Sequence, residues 1–493
     1  MSKIVVGAVV LAVVAGGGVA TAKWSGGKVA DELHAQTEKT LKAFPAVKIV
    51  KHSVVKGWVK STHEITVEIG CATVPAADAP AGTVAKGPVQ ITWRDTISHG
   101  PLPGFRSVGL AAIDSQLVLP PEASAQIAKV LGDKPLFTLR TVVGFGGGYS
   151  SDLASPAFKF AGPNNEGTID WKGLTATVKG DLNKGIAGGG SFKLDAPGMV
   201  LDVAKGGDVS QSVNVKLGAI SMRSDIPAND GSTVWLAPSK GTGSIASLDI
   251  TTNAAGKPVV VGLSDLKLAS ETKLDKGLLS TASSFTGKGR VDSFSVDKVE
   301  MNVSLKNLHA PTYEKLMGTI MSKGLSCDKG NEADVDEIIK TEMLAAMTTL
   351  LQYNPEYALD KLAIEIGGKR AELAYNLAIR GVTPADAATP AEELFKTKGF
   401  LSASVNVQKS LIEEIIKKVV AMKTPQDGTA IDPEAAKQEQ AMMMSMVDGG
   451  IAQGVAQGFI KVEGDAVKAS AKYEAGQLTL NDKVIPLPGA AGG

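Results

Sequence analysis

Arg290-Val-Asp-Ser-Phe-Ser-Val-Asp-Lys-Val-Glu-Met-Asn-Val-Ser-Leu305 alternates apolar and polar side chains over sixteen positions. Val291, Phe294, Val296, Val299, Met301, Val303 and Leu305 are its apolar members. Successive side chains of a strand point to opposite faces, so this pattern makes one face apolar and leaves the other wet. The frame slips between Val291 and Phe294 and again between Val296 and Val299. Each slip predicts a bulge or a turn within one extended ribbon. A ribbon of this kind belongs to an antiparallel sheet covered on one side.

The same alternation recurs in Glu64–Ile69, Val89–Trp93 and Val213–Leu217, and the stretch from Lys48 to about Asn307 reads as strand. Glycine is high, at 55 of 493 residues, against a usual ~7%. It has no G-X-Y period, which excludes collagen. Aromatics are only 5%, so small and β-branched side chains must build the core. Val108-Gly-Leu-Ala-Ala-Ile113, Lys172-Gly-Leu-Thr-Ala-Thr177 and Val261-Gly-Leu-Ser-Asp-Leu266 share a strand–Gly-Leu–strand shape. Either they are units added side by side, or Gly-Leu recurs through composition alone.

Helical patterns come later. Asp334–Gln352 carries an apolar stripe with Asp334 as N-cap, and Leu411, Ile412, Ile415, Ile416, Val419 and Val420 form an amphipathic face. Hairpins are expected around Gly367-Gly368 and Asn481-Asp482. The expected class is therefore α+β and β-dominated, a long curved antiparallel sheet with helices concentrated in the C-terminal third. The expected segments are 1–22 as a membrane anchor or signal peptide, 23–45 as a juxtamembrane helix (Val29–Phe44), 46–308 as a β-rich region, 309–360 as helical and 361–493 as α+β.

Ile4–Ala22 is the only long apolar run. As a helix it would measure about 28 Å, close to the hydrocarbon thickness of a bilayer. Lys23 and Trp24 at its end suit the headgroup layer of a retained anchor. Lys3 before it and Ala20-Thr21-Ala22 at its end suit a cleaved signal peptide. Both readings export the rest of the chain. Cys71 and Cys327 are a candidate disulfide there, or two separate thiols.

Lys+Arg and Asp+Glu balance at 51 each, so no overall field favours nucleic acid. The sequence contains no Walker A, H-E-x-x-H, C-x-x-C or G-x-S-x-G. Gly241-Thr-Gly243-Ser-Ile-Ala246 fits a dinucleotide fingerprint, but a strand-like stretch follows where a helix is required, so it reads as a turn. Ser270/Lys273 and Ser295/Lys298 have S-x-x-K spacing, yet on a strand the two residues face opposite sides. His52 and His63 meet if their strands pair, but no acidic or thiol partner is placed with them. No catalytic residue, cofactor or metal is expected. Gly450, Gly454 and Gly458 line one ridge of a helix, which predicts a close contact, either internal or in a homo-oligomer.

Several segments together resemble the YdgA-like (YdgA/YihF-like) family of unknown function from Gram-negative bacteria. They are Ala22-Lys-Trp-Ser-Gly26, Lys56-Gly-Trp-Val-Lys-Ser61, Ile97-Ser-His-Gly-Pro-Leu102, Leu305-Lys-Asn-Leu-His-Ala310 and Gly476-Gln-Leu-Thr-Leu-Asn481. His99, Gly100, Pro101 and Leu102 carry the most recognisable signature. Asp482 departs from the family's glycine, and Glu434–Met446 reads as an insertion. The resemblance implies an inner-membrane protein with a large periplasmic body and carries over no catalytic residue. The expected function is a non-enzymatic envelope protein offering an apolar groove or scaffold to lipid or protein partners. A self-assembling structural subunit is the alternative, and a hydrolase of envelope material a third.

Overall fold

The computed structural model describes residues 47–69, 89–119, 121–162, 167–181, 189–205, 208–228, 236–254, 257–324, 332–422 and 432–485. The run Ile4–Ala22, the expected helix Val29–Phe44 and both cysteines lie outside them. Among the described residues no helix is long and apolar enough to cross a membrane.

β1 (Val47–Val55), β2 (Lys60–Ile69), β3 (Val89–His99) and β4 (Ala111–Val118) form an antiparallel meander. Helix α1 (Pro121–Leu131) then leads into β5 (Thr138–Val143), which pairs with β4. Four broken ribbons follow: β6 (Gly148–Ser155) with β7 (Phe158–Ala161), β8 (Gly167–Trp171) with β9 (Leu174–Asp181), β10 (Gly190–Ala196) with β11 (Met199–Lys205), and β12 (Asp208–Leu217) with β13 (Ile220–Ile226). On one side of the breaks β6, β9, β10 and β13 pair in turn; on the other, β7, β8, β11 and β12 do. The breaks, Pro156-Ala157, Lys172-Gly173, Pro197-Gly198 and Gly218-Ala219, therefore stand side by side and crease the sheet. Proline cannot donate to a ladder, and Gly173 (φ 95°) and Gly198 (φ 129°) take conformations that a Cβ disfavours.

β14 (Ser239–Ala254) pairs with β13 along one half and β12 along the other. β15 (Lys257–Asp275), β16 (Leu278–Val291) and β17 (Phe294–His309) continue the meander, and the crease persists as irregularities at Ser264/Lys267 and Gly287/Gly289. Both slips in Arg290–Leu305 are thereby explained. The first is the β16–β17 turn, with Asp292 at φ 50°. The second is the bulge opposite Gly287/Gly289, which returns Val299 to the face of Val296.

Helices α2 (Ala310–Gly324) and α3 (Glu332–Leu351) precede β18 (Glu356–Ile366) and β19 (Lys369–Ile379). Then come α4 (Ala391–Lys398), β20 (Gly399–Gln408), α5 (Lys409–Met422) and α6 (Pro433–Gln457). β21 (Lys461–Glu463), β22 (Ala466–Glu474), β23 (Gln477–Leu480) and β24 (Lys483–Ile485) close the described chain. The fold is β-dominated, one long open antiparallel sheet with helices mostly in the C-terminal third. Both expected hairpins form, with Gly367 and Gly368 at φ 60° and 72°, and Asn481 and Asp482 at 45° and 70°.

Several local details differ from, or decide between, the sequence expectations. The 46–308 region contains α1, whose Pro121 is suited to a first helical turn. Gly241–Ala246 lies inside β14 and is not a turn, because pairing with β13 and β15 holds it extended. The three Gly-Leu units are not equivalent: Gly173 sits in the crease, Gly109 in a loop and Gly262 within β15. α3 starts before Asp334, which falls in its first turn, and β18 begins inside the segment expected to be helical.

Directly paired residues share a face. One ladder therefore runs Val54–His63–Asp95–Ser115–Leu139–Leu153–Ala176–Leu194–Met222–Gly243–Leu268–Phe285–Met301–Leu362–Leu373–Val405. Beyond the crease a second runs Phe160–Ile169–Leu201–Val215–Ile250–Val261–Val291–Phe294. The opposite face of the same strands carries Lys159–Asp170, Lys216–Asp249 and Arg290. Ion pairs lace it, such as Arg290 to Asp249 at 2.7 Å.

At the corner before α4, the Asp386 carboxylate accepts hydrogen bonds from Lys398 Nζ at 2.5 Å and from the backbone N–H and hydroxyl of Thr383, each at 2.7 Å. The lysine, then the threonine donors, lower its pKa from 3.8 to about 2. A depressed folded-state pKa contributes stability above the unfolded value and loses it as protons bind the folded state. The carboxyl carbon of Asp386 should therefore titrate near 2 by NMR, and this corner should loosen between about pH 4 and pH 2. A midpoint near 4 would show that the three bonds do not persist in solution.

Candidate functional site

The β1–β3 end of the ladder carries polar residues where the pattern calls for apolar ones. In β2 the inward phase reads Ser61, His63, Ile65, Val67, Ile69, and in β3 it reads Ile91, Trp93, Asp95, Ile97, His99. Ile65, Val67, Ile69 and Trp93 form a buried cluster with Leu139. Ser61 and His63 are each only 1% exposed. Buried polar groups of this kind must find partners.

They do so in two connected sets. His63 Nδ1 donates to Asp95 Oδ2 at 2.7 Å, and Trp93 Nε1 donates to Asp95 Oδ1 at 3.0 Å. With Nδ1 protonated, His63 Nε2 is the acceptor for His52 Nε2–H at 2.7 Å. In the second set Ser61 Oγ lies 3.0 Å from His99 Nε2, while His99 Nδ1 lies 3.2 Å from the carbonyl of Trp58. A carbonyl can only accept, so Nδ1 carries the proton and the Ser61 hydroxyl donates to Nε2. This is the bond pattern of a nucleophile and its base, but the hydroxyl is sealed inside the sheet.

The expected meeting of His52 with His63 is therefore present, and an acidic partner, Asp95, stands with them. The signal lay in the sequence: Asp95 and His99 occupy the apolar phase of a strand, where an unpaired polar residue is costly. Among the described residues no group of three or more His, Cys, Asp or Glu is arranged to hold a metal.

His99 ends β3 and opens the loop Gly100–Leu110. Its amide bonds Val59 O, Gly100 N–H bonds Leu110 O, Gly109 N–H bonds Pro101 O, and Leu110 N–H bonds Val143 O. These bonds stitch the β1–β2, β3–β4 and β5–β6 loops together at one end of the sheet. A Cβ on Gly100 would stand 2.0 Å from Gly109 O, and one on Gly109 would stand 2.3 Å from Val143 O. Pro101 is joined by a cis peptide bond, and Leu102 is exposed.

Gly450, Gly454 and Gly458 occupy three different environments. Gly454 is buried, and an added Cβ would meet Ile460 of the same chain at 2.5 Å. Gly458 caps α6 in a left-handed conformation at φ 79°. Gly450 faces open space.

A further exposed feature is the apolar ladder face. Met222, Leu263, Leu268, Val291 and Met301 lie on it and are each more than a third exposed. α2 and α3 lay Tyr313 and Leu350 against Leu305 and Leu308. α5 packs over β18–β20 and buries Leu411, Ile416 and Val420. Among the described residues, Met222, Leu268 and Met301 between these helices and the crease stay more than a third exposed. The crease holds a cleft of about 620 Å³, lined by Pro156, Gly173, Leu174, Pro197 and Ile220.

The fold is thus one long open antiparallel sheet whose apolar face is partly exposed among the described residues. The chain belongs to the bacterial protein family of unknown function DUF945, whose profile matches residues 1–488. No curated protein and no solved structure matches it.

Proposed function

We propose that this chain is a non-enzymatic envelope protein whose sheet cradles the hydrocarbon chains of lipids. Within its family it belongs with the YdgA-like members, tethered to the inner membrane by Ile4–Ala22 with its body in the periplasm. One observation carries the lipid reading: the ladder from Leu139 to Val405 is apolar across twelve strands, with only Gly243 lacking a side chain. At ~4.8 Å between strands that path is about 50 Å long, longer than one acyl chain. A contiguous apolar surface of this size on a soluble body marks an interaction site. The burial of Ser61 argues against a hydrolase, since its hydroxyl has no room for a substrate.

Protein extracted gently from membranes should carry bound lipid in native mass spectrometry. Leu268→Glu with Met301→Glu, both on the half-exposed floor, should cut bound lipid at least tenfold (about 1.4 kcal/mol) and leave the melting temperature unchanged. Lipid-free protein that forms dimers would instead support the alternative, a self-assembling subunit: dissociation by the same pair would place the contact on this face, and dissociation by Gly454→Leu would place it on the Gly450–Gly458 helix. Monomeric protein with no lipid would exclude both.

A further inference from the structure

The loops stitched together around His99 are unlike the rest of the surface. Trp58 is fully exposed and Phe105 is 92% exposed; Val59, Leu102, Val108 and Phe145 beside them are each more than half exposed. These side chains come from the β1–β2, β3–β4 and β5–β6 loops. The bonds His99 N–H to Val59 O and Leu110 N–H to Val143 O hold the loops together, at 2.9 and 2.8 Å. The tip is thus a built surface.

Its charge is one-sided. Lys56 lies in the β1–β2 loop, Lys60 opens β2 and Arg106 lies in the β3–β4 loop, and residues 55–60, 100–110 and 143–148 contain no Asp or Glu. A chain with equal numbers of acidic and basic residues overall has here three loops with exposed aromatic rings and basic side chains, and Asp181 stands at their edge, paired with Gly148. Tryptophan and phenylalanine project outward, where water disfavours them, and cations stand behind them. Indole and phenyl rings favour the headgroup layer of a bilayer, and lysine and arginine favour its anionic phosphates.

We propose that this tip docks on a bilayer surface containing anionic lipid, with Trp58, Phe105 and Phe145 inserted at headgroup depth. The basic residues select the lipid charge and the rings supply the insertion. A second copy of the chain would present the same positive charge to itself, which disfavours pairing through this end. The proposal uses different residues from the lipid-cradling face and holds or fails without it.

The test uses the full chain with Cys71→Ser and Cys327→Ser, reconstituted in vesicles and labelled with an environment-sensitive fluorophore at Phe105→Cys or Phe145→Cys. Asp133→Cys, at the opposite end of the strands, is the control. On vesicles of phosphatidylcholine with phosphatidylglycerol, both tip labels should brighten severalfold and shift to the blue, while the control stays unchanged. High salt should weaken the response. Unchanged tip labels on these vesicles would overturn the proposal, and so would an equal response on phosphatidylcholine alone. A shift without vesicles that grows with protein concentration would assign the tip to self-association and also overturn it.

Discussion

Asp95→Ala is expected to destabilise the fold by about 2–6 kcal/mol, the cost of leaving two buried donors without their acceptor. Asp95 is 5% exposed and accepts from both His63 Nδ1 and Trp93 Nε1. Alanine would leave two buried donors without an acceptor, and each lost partner costs about 1–3 kcal/mol. Urea unfolding monitored by tryptophan fluorescence measures the loss. The double variant with His63→Leu should be less damaging than the sum of the two single changes, since it removes donor and acceptor together. A loss below about 1 kcal/mol for Asp95→Ala would mean that water reaches the network.

Gly109→Ala is expected to cost about 2–5 kcal/mol, at the upper end of overpacking effects. The new methyl would stand 2.3 Å from Val143 O. That oxygen is fixed by the 2.8 Å bond from Leu110 N–H, so β4 and β5 must separate to make room. Gly100→Ala should behave alike, for its methyl would stand 2.0 Å from Gly109 O. Gly146→Ala is the control, with open space around its would-be Cβ. Thermal unfolding ranks the three, and hydrogen exchange at the Leu110 amide reports the opening directly. A Gly109→Ala protein as stable as the control would show that the loops are not clamped as described. The signature His99-Gly100-Pro101-Leu102 thus has a structural basis: the histidine fastens Ser61 and Trp58, and the glycine admits a crossing backbone.

Much of the fold was legible because alternation is local. Arg290–Leu305 declared its period, its apolar side and both of its interruptions, since a slip of one residue exposes every apolar side chain downstream. The helix over Lys409–Met422 was equally plain, because its apolar face repeats within one turn. The missed α1 lacked that clarity: it is short and follows a proline within a strand-rich region. The Gly450–Gly458 series misled in part, because equal spacing says nothing about where a helix ends. Gly458 lies at the cap of α6.

The site was less legible. His52, His63 and Asp95 are drawn together from three strands, and His63 and Asp95 are 32 positions apart. His63 and Asp95 stand in the apolar phase of their strands, but only register makes them partners. The three loops of the basic tip are likewise far apart in sequence.

The sequence by itself determined a β-dominated meander with one apolar face, because side-chain alternation and turn chemistry act over a few residues. Only the tertiary structure decided the rest. Register aligned the apolar phases of many strands into one ladder, set the chain breaks side by side as a crease, and closed the His63–Asp95 pair inside the core. Those outcomes depend on which residue of one strand stands opposite which residue of the next, a long-range choice fixed by pairing and burial together.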